Sequence, residues 1–203
     1  MSNELSSFGD RAEVSMQANV EVPAGMGIEG WYHVVCHDKN GNFKWEEKFP
    51  NLVVAAGKEL MLNTLLRTSG TYTTVGPFLG LTKVSLTPAA TDTMTTLVTT
   101  SAAEFTNYTV GGSAVRGTAA FAAATSSGTT PSNVTSSTAT AITYTITGAG
   151  GTVYGCFLVT GTGAVNTQSS TAGTLYSEGN FATAKTTTAG DTVAVTYSTS
   201  ATS

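Results

Sequence analysis

The sequence predicts a mainly β protein: a β-sandwich or jelly-roll-like body with one short helix and an extended N-terminal arm. Three observations predict it. Threonine makes up roughly one residue in five, and its branched Cβ fits a pleated strand better than a helix. Apolar and polar residues alternate with a period of two in several short segments separated by glycine-rich turns. Only one segment carries a helical stripe.

In chain order, residues 1–27 read as the arm and 28–203 as the body. Within the arm, Val14, Met16, Ala18, Val20 and Val22 alternate with Glu13, Ser15, Gln17, Asn19 and Glu21, the pattern of a half-buried strand. Pro23, Gly25 and Gly27 then form a hinge. Such a strand pairs either within its own body or on the sheet edge of a neighbour, and its five apolar residues are the candidate interface.

The body opens with a hairpin over 28–49, turned by Asp38-Lys39-Asn40-Gly41, since Asn-Gly is a strong turn signal. Glu46 and Glu47 beside Lys44 and Lys48 read as a solvated edge strand, where charge discourages unwanted pairing. Gly57 to Arg67 reads as the helix, with Met61, Leu62, Leu65 and Leu66 as its buried stripe and Ser69-Gly70 closing it. Thr/Gly-rich strands follow over 77–203. Pro77-Phe-Leu-Gly-Leu81 opens a short apolar strand, and Asp92 is a candidate helix N-cap. Ala114–Ala123 reads as a strand and 125–140 as a loop. Ile142, Tyr144 and Ile146 share one dry face. Val153–Val159 is apolar on both faces, as a central strand is. Further strands begin at Leu175 and at Thr192, with Val193, Val195 and Tyr197 on one face.

Composition narrows the function. Charged residues are 11% of the chain against about 25% in ordinary soluble domains. A surface of Thr, Ser, Gly and Ala suits being covered by neighbours, because charge is what keeps a free surface wet and monomeric. Beyond position 70 the acids are Asp92, Glu104, Glu178 and Asp191, and the bases are Lys83, Arg116 and Lys185. A net charge of -4 argues against nucleic acid, which draws on clustered Lys and Arg. No apolar run reaches the length that spans a bilayer, so no membrane partner is expected. The start MSNELSSFGD carries neither a basic nor an apolar leader region, so a cytosolic origin with reduced, buried Cys36 and Cys156 is expected.

Catalytic and cofactor chemistry find little footing. His33, Cys36 and His37 have the residue types of a zinc set, but on one strand the two histidines stand roughly 13 Å apart and Cys36 points away. No nucleophile motif surrounds either histidine. Gly111-Gly112 and Gly148–Gly151 lead into no phosphate-binding helix and read as turns. No enzyme activity, cofactor or metal is therefore expected. Trp31 and Trp45 are candidate surface aromatic contacts that would stack on a sugar, or else pack in the core or an interface.

The segment Phe49-Pro-Asn-Leu-Val-Val-Ala-Ala-Gly-Lys58 is followed by Met61-Leu62 and by Pro77-Phe-Leu-Gly-Leu81. Glu104-Phe-Thr-Asn-Tyr108, Leu175-Tyr-Ser-Glu-Gly-Asn-Phe181 and Gly190 to Tyr197 come later. In this order the motifs, spread over roughly residues 42–200, resemble those of small virion structural proteins of tailed bacteriophages. The resemblance implies a structural role on a particle assembled in the host bacterial cytoplasm. The first expectation is a capsid cement or decoration protein that binds neighbouring major capsid subunits. The alternatives are a tail, baseplate or fibre component forming a homo-oligomer, and a carbohydrate-binding host-attachment module.

Overall fold

Alternation and turn chemistry place most of the strands, and long-range pairing assembles them. A computed structural model describes residues 27–67, 75–125, 132–134 and 141–202. The elements are β1 (Gly27–His37), β2 (Phe43–Pro50), β3 (Leu52–Val53), α1 (Ala55–Leu66), β4 (Phe78–Thr82), a π-helical turn (Thr96–Thr100), β5 (Glu104–Phe105), β6 (Tyr108–Thr109) and β7 (Gly117–Thr118). They continue with β8 (Ser132–Val134), β9 (Ile142–Ile146), β10 (Gly151–Thr160), β11 (Thr174–Thr187) and β12 (Thr192–Thr202). Two antiparallel sheets result. The first runs β2-β1-β12-β9-β6 with β8 also on β12, and the second runs β3-β11-β10-β4-β5 with β7 also on β4. The mainly β, sandwich-like body is thus present.

The hairpin β1–β2 turns where Asp38 Oδ1 accepts the Asn40 and Asn42 N–H groups, both at 2.8 Å. Gly41 takes the positive φ of +83° that this turn requires. Between the sheets lie Tyr32, Val34 and Cys36 of β1, Val193, Val195 and Tyr197 of β12, and Ile142, Tyr144 and Ile146 of β9. They meet Leu79, Leu81, Val153, Cys156 and Leu158 from the second sheet. Buried tyrosine hydroxyls need partners, and two of them find one across the gap. The Tyr32 hydroxyl lies 2.9 Å from the Ser177 hydroxyl, and Tyr144 donates to the Leu79 carbonyl at 2.7 Å.

A second cluster covers the outer face of the second sheet: Phe157, Val159 and Leu175 under Val54, Met94, Leu97, Ala103 and Ala164. β10 is therefore buried on both faces, which is why Val153–Val159 lacks a polar side.

Several expectations need correction. Gly27, assigned to the hinge, is the first residue of β1 and pairs with Thr202. The helix starts two residues earlier than predicted and packs through a different face. Gly57 is its buried residue, and a Cβ there would stand 2.6 Å from the Tyr176 carbonyl oxygen. Met61 does pack inward and receives the Tyr176 hydroxyl at 3.3 Å. Leu62, Leu65 and Leu66 are exposed, at 52%, 74% and 75%. The glycine, which has no apolar signal, brings the first turns against β11, and the last turns carry their leucines away from it.

Ala114–Ala123 is not one strand. Only Gly117–Thr118 pairs with β4, and Val115 makes a lone bridge to Thr167. Arg116 is fully buried there, so the backbone serves a side chain rather than a ladder. The loop read over 125–140 includes β8, which pairs with β12 through backbone groups. Such an edge pairing needs no apolar alternation. Asp92 does not cap the helical turn: it accepts the Ala89 N–H, and Thr93 Oγ1 accepts the Thr96 N–H instead.

Candidate functional site

The predicted arm interface, Val14, Met16, Ala18, Val20 and Val22, lies outside the described residues. The two tryptophans fall on opposite faces of the first sheet. On β1, Tyr32, Val34 and Cys36 point into the sandwich, and Trp31, His33 and Val35 point out. Trp45 pairs in register with Cys36 and packs inward, 5.5 Å from the Phe181 ring. Trp31 is 39% exposed, with the Lys48 ammonium 5.4 Å from its ring centroid. It lines a cleft of about 320 Å³ together with Glu29, Asn51 and Lys58. The two rings therefore form no shared platform.

The residues of the zinc-type set also separate. His33 Nε2 is 2.6 Å from Glu46 Oε1 on the outer face. Cys36 is buried, and burial pushes its thiol up to about 11. His37 sits edge-on to Phe43. Among the described residues, no three His, Cys, Asp or Glu side chains gather as a ligand set. Nor is any helix there long and apolar enough to cross a membrane. Both cysteines are free and buried.

β2 is an edge strand, as its charges predicted. Glu47, however, is not simply solvated. It pairs with Lys185 of β11 at 2.7 Å and accepts the Ala182 N–H, which ties the two sheets together along one side.

Among the described residues three carboxylates are buried: Asp191, paired with Lys44, and two more. Glu104 of β5 is held by Arg116, which donates Nε to Oε1 at 2.8 Å and a terminal nitrogen to Oε2 at 2.7 Å. The Ser169 N–H donates to the same Oε2 at 2.8 Å, and Arg116 also donates to the Ser170 carbonyl at 2.7 Å. The guanidinium lies 5.2 Å from the Phe157 ring centroid. This is a bidentate pair that ties the 169–170 backbone to β5, although the other terminal nitrogen of Arg116 has no hydrogen-bond partner.

Glu178 of β11 has the opposite surroundings. Its neighbours in the flanking strands are Phe157 and Leu52, and it is 1% exposed. Another acid, Asp92, stands on the 83–95 segment, and the two residues line the same cleft. That segment is clamped by Asn180, whose side chain donates to the Leu86 carbonyl at 2.7 Å and accepts the Leu86 N–H at 3.2 Å. Burial, and then the hydrogen bond and charge of Asp92, push the Glu178 carboxyl from 4.5 up to about 8. Glu178 Oε1 has no hydrogen-bond partner. Beside it opens a cleft of about 390 Å³, lined by both carboxylates and by Ser85, Thr87, Thr96 and Ser101 among others.

The scarcity of charge was the available signal. In a chain that spares Lys, Arg, Asp and Glu after position 70, all four acids there are engaged: Glu104 with Arg116, Asp191 with Lys44, and Asp92 with Glu178. No protein-family model, curated protein or solved structure matches the chain.

Proposed function

We propose that the chain is a non-enzymatic structural subunit of a tailed-bacteriophage particle: a cement or decoration protein that binds neighbouring major capsid subunits. The observation that carries this reading is the leucine patch. Leu62, Leu65 and Leu66 stand exposed together on the longest helix of a chain with only 11% charged residues. Apolar patches on charge-poor surfaces mark sites that another protein covers. The motif order from Phe49 to Tyr197 supports the virion setting, with assembly in the bacterial cytoplasm and several copies arranged by the particle's symmetry. Many such contacts, each weak, hold a subunit on a lattice through multivalency.

Quantitative mass spectrometry of purified particles tests the role. Hundreds of copies per particle are expected. Small multiples of three or six would move the protein to the tail, baseplate or fibre, and its absence from particles would end the reading. Replacing Leu62, Leu65 and Leu66 together by Ser is expected to leave the fold intact and to abolish incorporation.

The exposed Trp31 in its cleft with Glu29 and Asn51 favours a second reading, carbohydrate binding at the host surface. Trp31→Ala would then abolish adsorption to host cells while particles still assemble.

A further inference from the structure

We propose that the Asp92–Glu178 cleft is a binding site for one hard divalent cation, Ca2+ above all. Two acidic residues from separate elements line one cleft, in a chain that keeps few acids. Glu178 is almost wholly buried, yet its Oε1 has no hydrogen-bond partner. A buried acceptor left unpaired is rare and calls for a partner. The adjoining cleft supplies room and further oxygens, the hydroxyl-bearing Ser85, Thr87, Thr96 and Ser101. Neither Lys nor Arg lines it, so the cleft walls hold no cationic side chain to pair with the two acids.

The donor set fixes the class of ion. Thiolates and imidazoles, which select zinc and copper, are missing from the lining. Oxygen donors alone select hard cations. Mg2+ demands a near-ideal octahedron and keeps its waters, whereas Ca2+ accepts six to eight oxygens in irregular geometry. A cleft of mixed hydroxyls and two carboxylates meets the second requirement. With two charged ligands, affinity falls in the weak range of such sites, a dissociation constant of about 0.1–1 mM. No residue of the leucine patch lines the cleft, so this inference does not depend on the particle assignment.

The test is isothermal titration of CaCl2 into the full chain after dialysis against chelator, at pH 8, with melting temperature followed in parallel. One saturable site per chain and a melting temperature that rises with CaCl2 are expected. Glu178→Gln matches the shape of the protonated glutamate, and Asp92→Asn that of its partner, so both variants are expected to fold with native near-ultraviolet circular dichroism. Each is expected to weaken Ca2+ binding at least about tenfold: affinity follows the ligand charge count, and even outer-shell changes cost about that much. No saturable binding up to about 10 mM, well above the expected range, would overturn the proposal. So would binding that survives either substitution undiminished.

Discussion

Glu104 and Glu178 are both glutamates of the second sheet, both buried, and they live under opposite conditions. Glu104 meets a guanidinium in a bidentate grip and a backbone N–H besides, so its charge is neutralised where it stands. Glu178 meets another acid and keeps one oxygen without a partner. In the first pair opposite charges neutralise each other in place, although one Arg116 nitrogen has no hydrogen-bond partner. An acid pair of the second kind is unfinished, because its ionised form is stable only when something positive arrives. The difference separates a strut from a receptor more clearly than burial does.

The largest expected effect breaks the strut. Arg116→Ala leaves Glu104 charged and unpaired in the interior, which costs about 3–5 kcal/mol. Denaturant titration would show it, and a loss below about 1 kcal/mol, the scale of surface substitutions, would mean that the pair is solvated.

The second prediction concerns the sign of pH dependence at Glu178, measured with chelator present. Its folded carboxyl holds its proton up to about 8, while the unfolded chain loses it near 4.5. Between those values the folded state binds more protons, so this group's contribution is fully present below 4.5 and is lost as pH rises through about 8. Glu178→Gln removes that loss and is expected to gain of the order of 1–3 kcal/mol over wild type at pH 9, the cost of a buried unsatisfied group. Equal stability of the two proteins from pH 4 to 9 would show that the carboxyl is not perturbed.

Asp191 sharpens the contrast from the other side. Burial alone raises its carboxyl, but the Lys44 ammonium and the Thr188 N–H and hydroxyl outweigh that and hold it below the ordinary 3.8. Its contribution is present above 3.8 and is lost as pH falls through the lowered folded value. Lys44→Met is expected to cost about 1–2 kcal/mol at pH 7, and less at acid pH, because a charge-assisted hydrogen bond disappears. Chemical denaturation at pH 7 and pH 3 checks both.

The smallest effect belongs to Leu65→Ala. The helical stripe read from sequence makes it a core leucine worth about 2–5 kcal/mol, but its exposure predicts a change within about 0.5 kcal/mol in the isolated subunit.

Sequence made legible the strands and the turn that carry a plain local pattern. The alternation at Ile142–Ile146 and the two dry faces of Val153–Val159 read directly as β9 and as the central strand β10. The Asn40-Gly41 turn gave the hairpin. What stayed hidden depends on contacts made far along the chain. Nothing local marks Gly57 as the helix's buried residue, because its role is the closeness it allows at Tyr176. Arg116 in a run of small residues looked like a strand with one charge, and only the fold brings Glu104, Ser169 and Ser170 around it. Asp92 and Glu178 lie on distant segments, so their meeting leaves no spacing to read.

The pairing of β1 with β12 has a consequence in time. All eleven residues of β1, Gly27–His37, are in register with β12, Thr192–Thr202, and β12 also carries β8 and β9 on its other side. The first sheet therefore has no centre until its last strand leaves the ribosome. Until then the hairpin β1–β2 stands as an isolated two-stranded ribbon, which is marginal in water. Closing so long a loop is entropically slow, and folding of such a topology runs in milliseconds to seconds rather than microseconds. During that interval the apolar inner faces of β1 and β9 stand uncovered, and nascent chains crowded on one message are exposed to mispairing with each other.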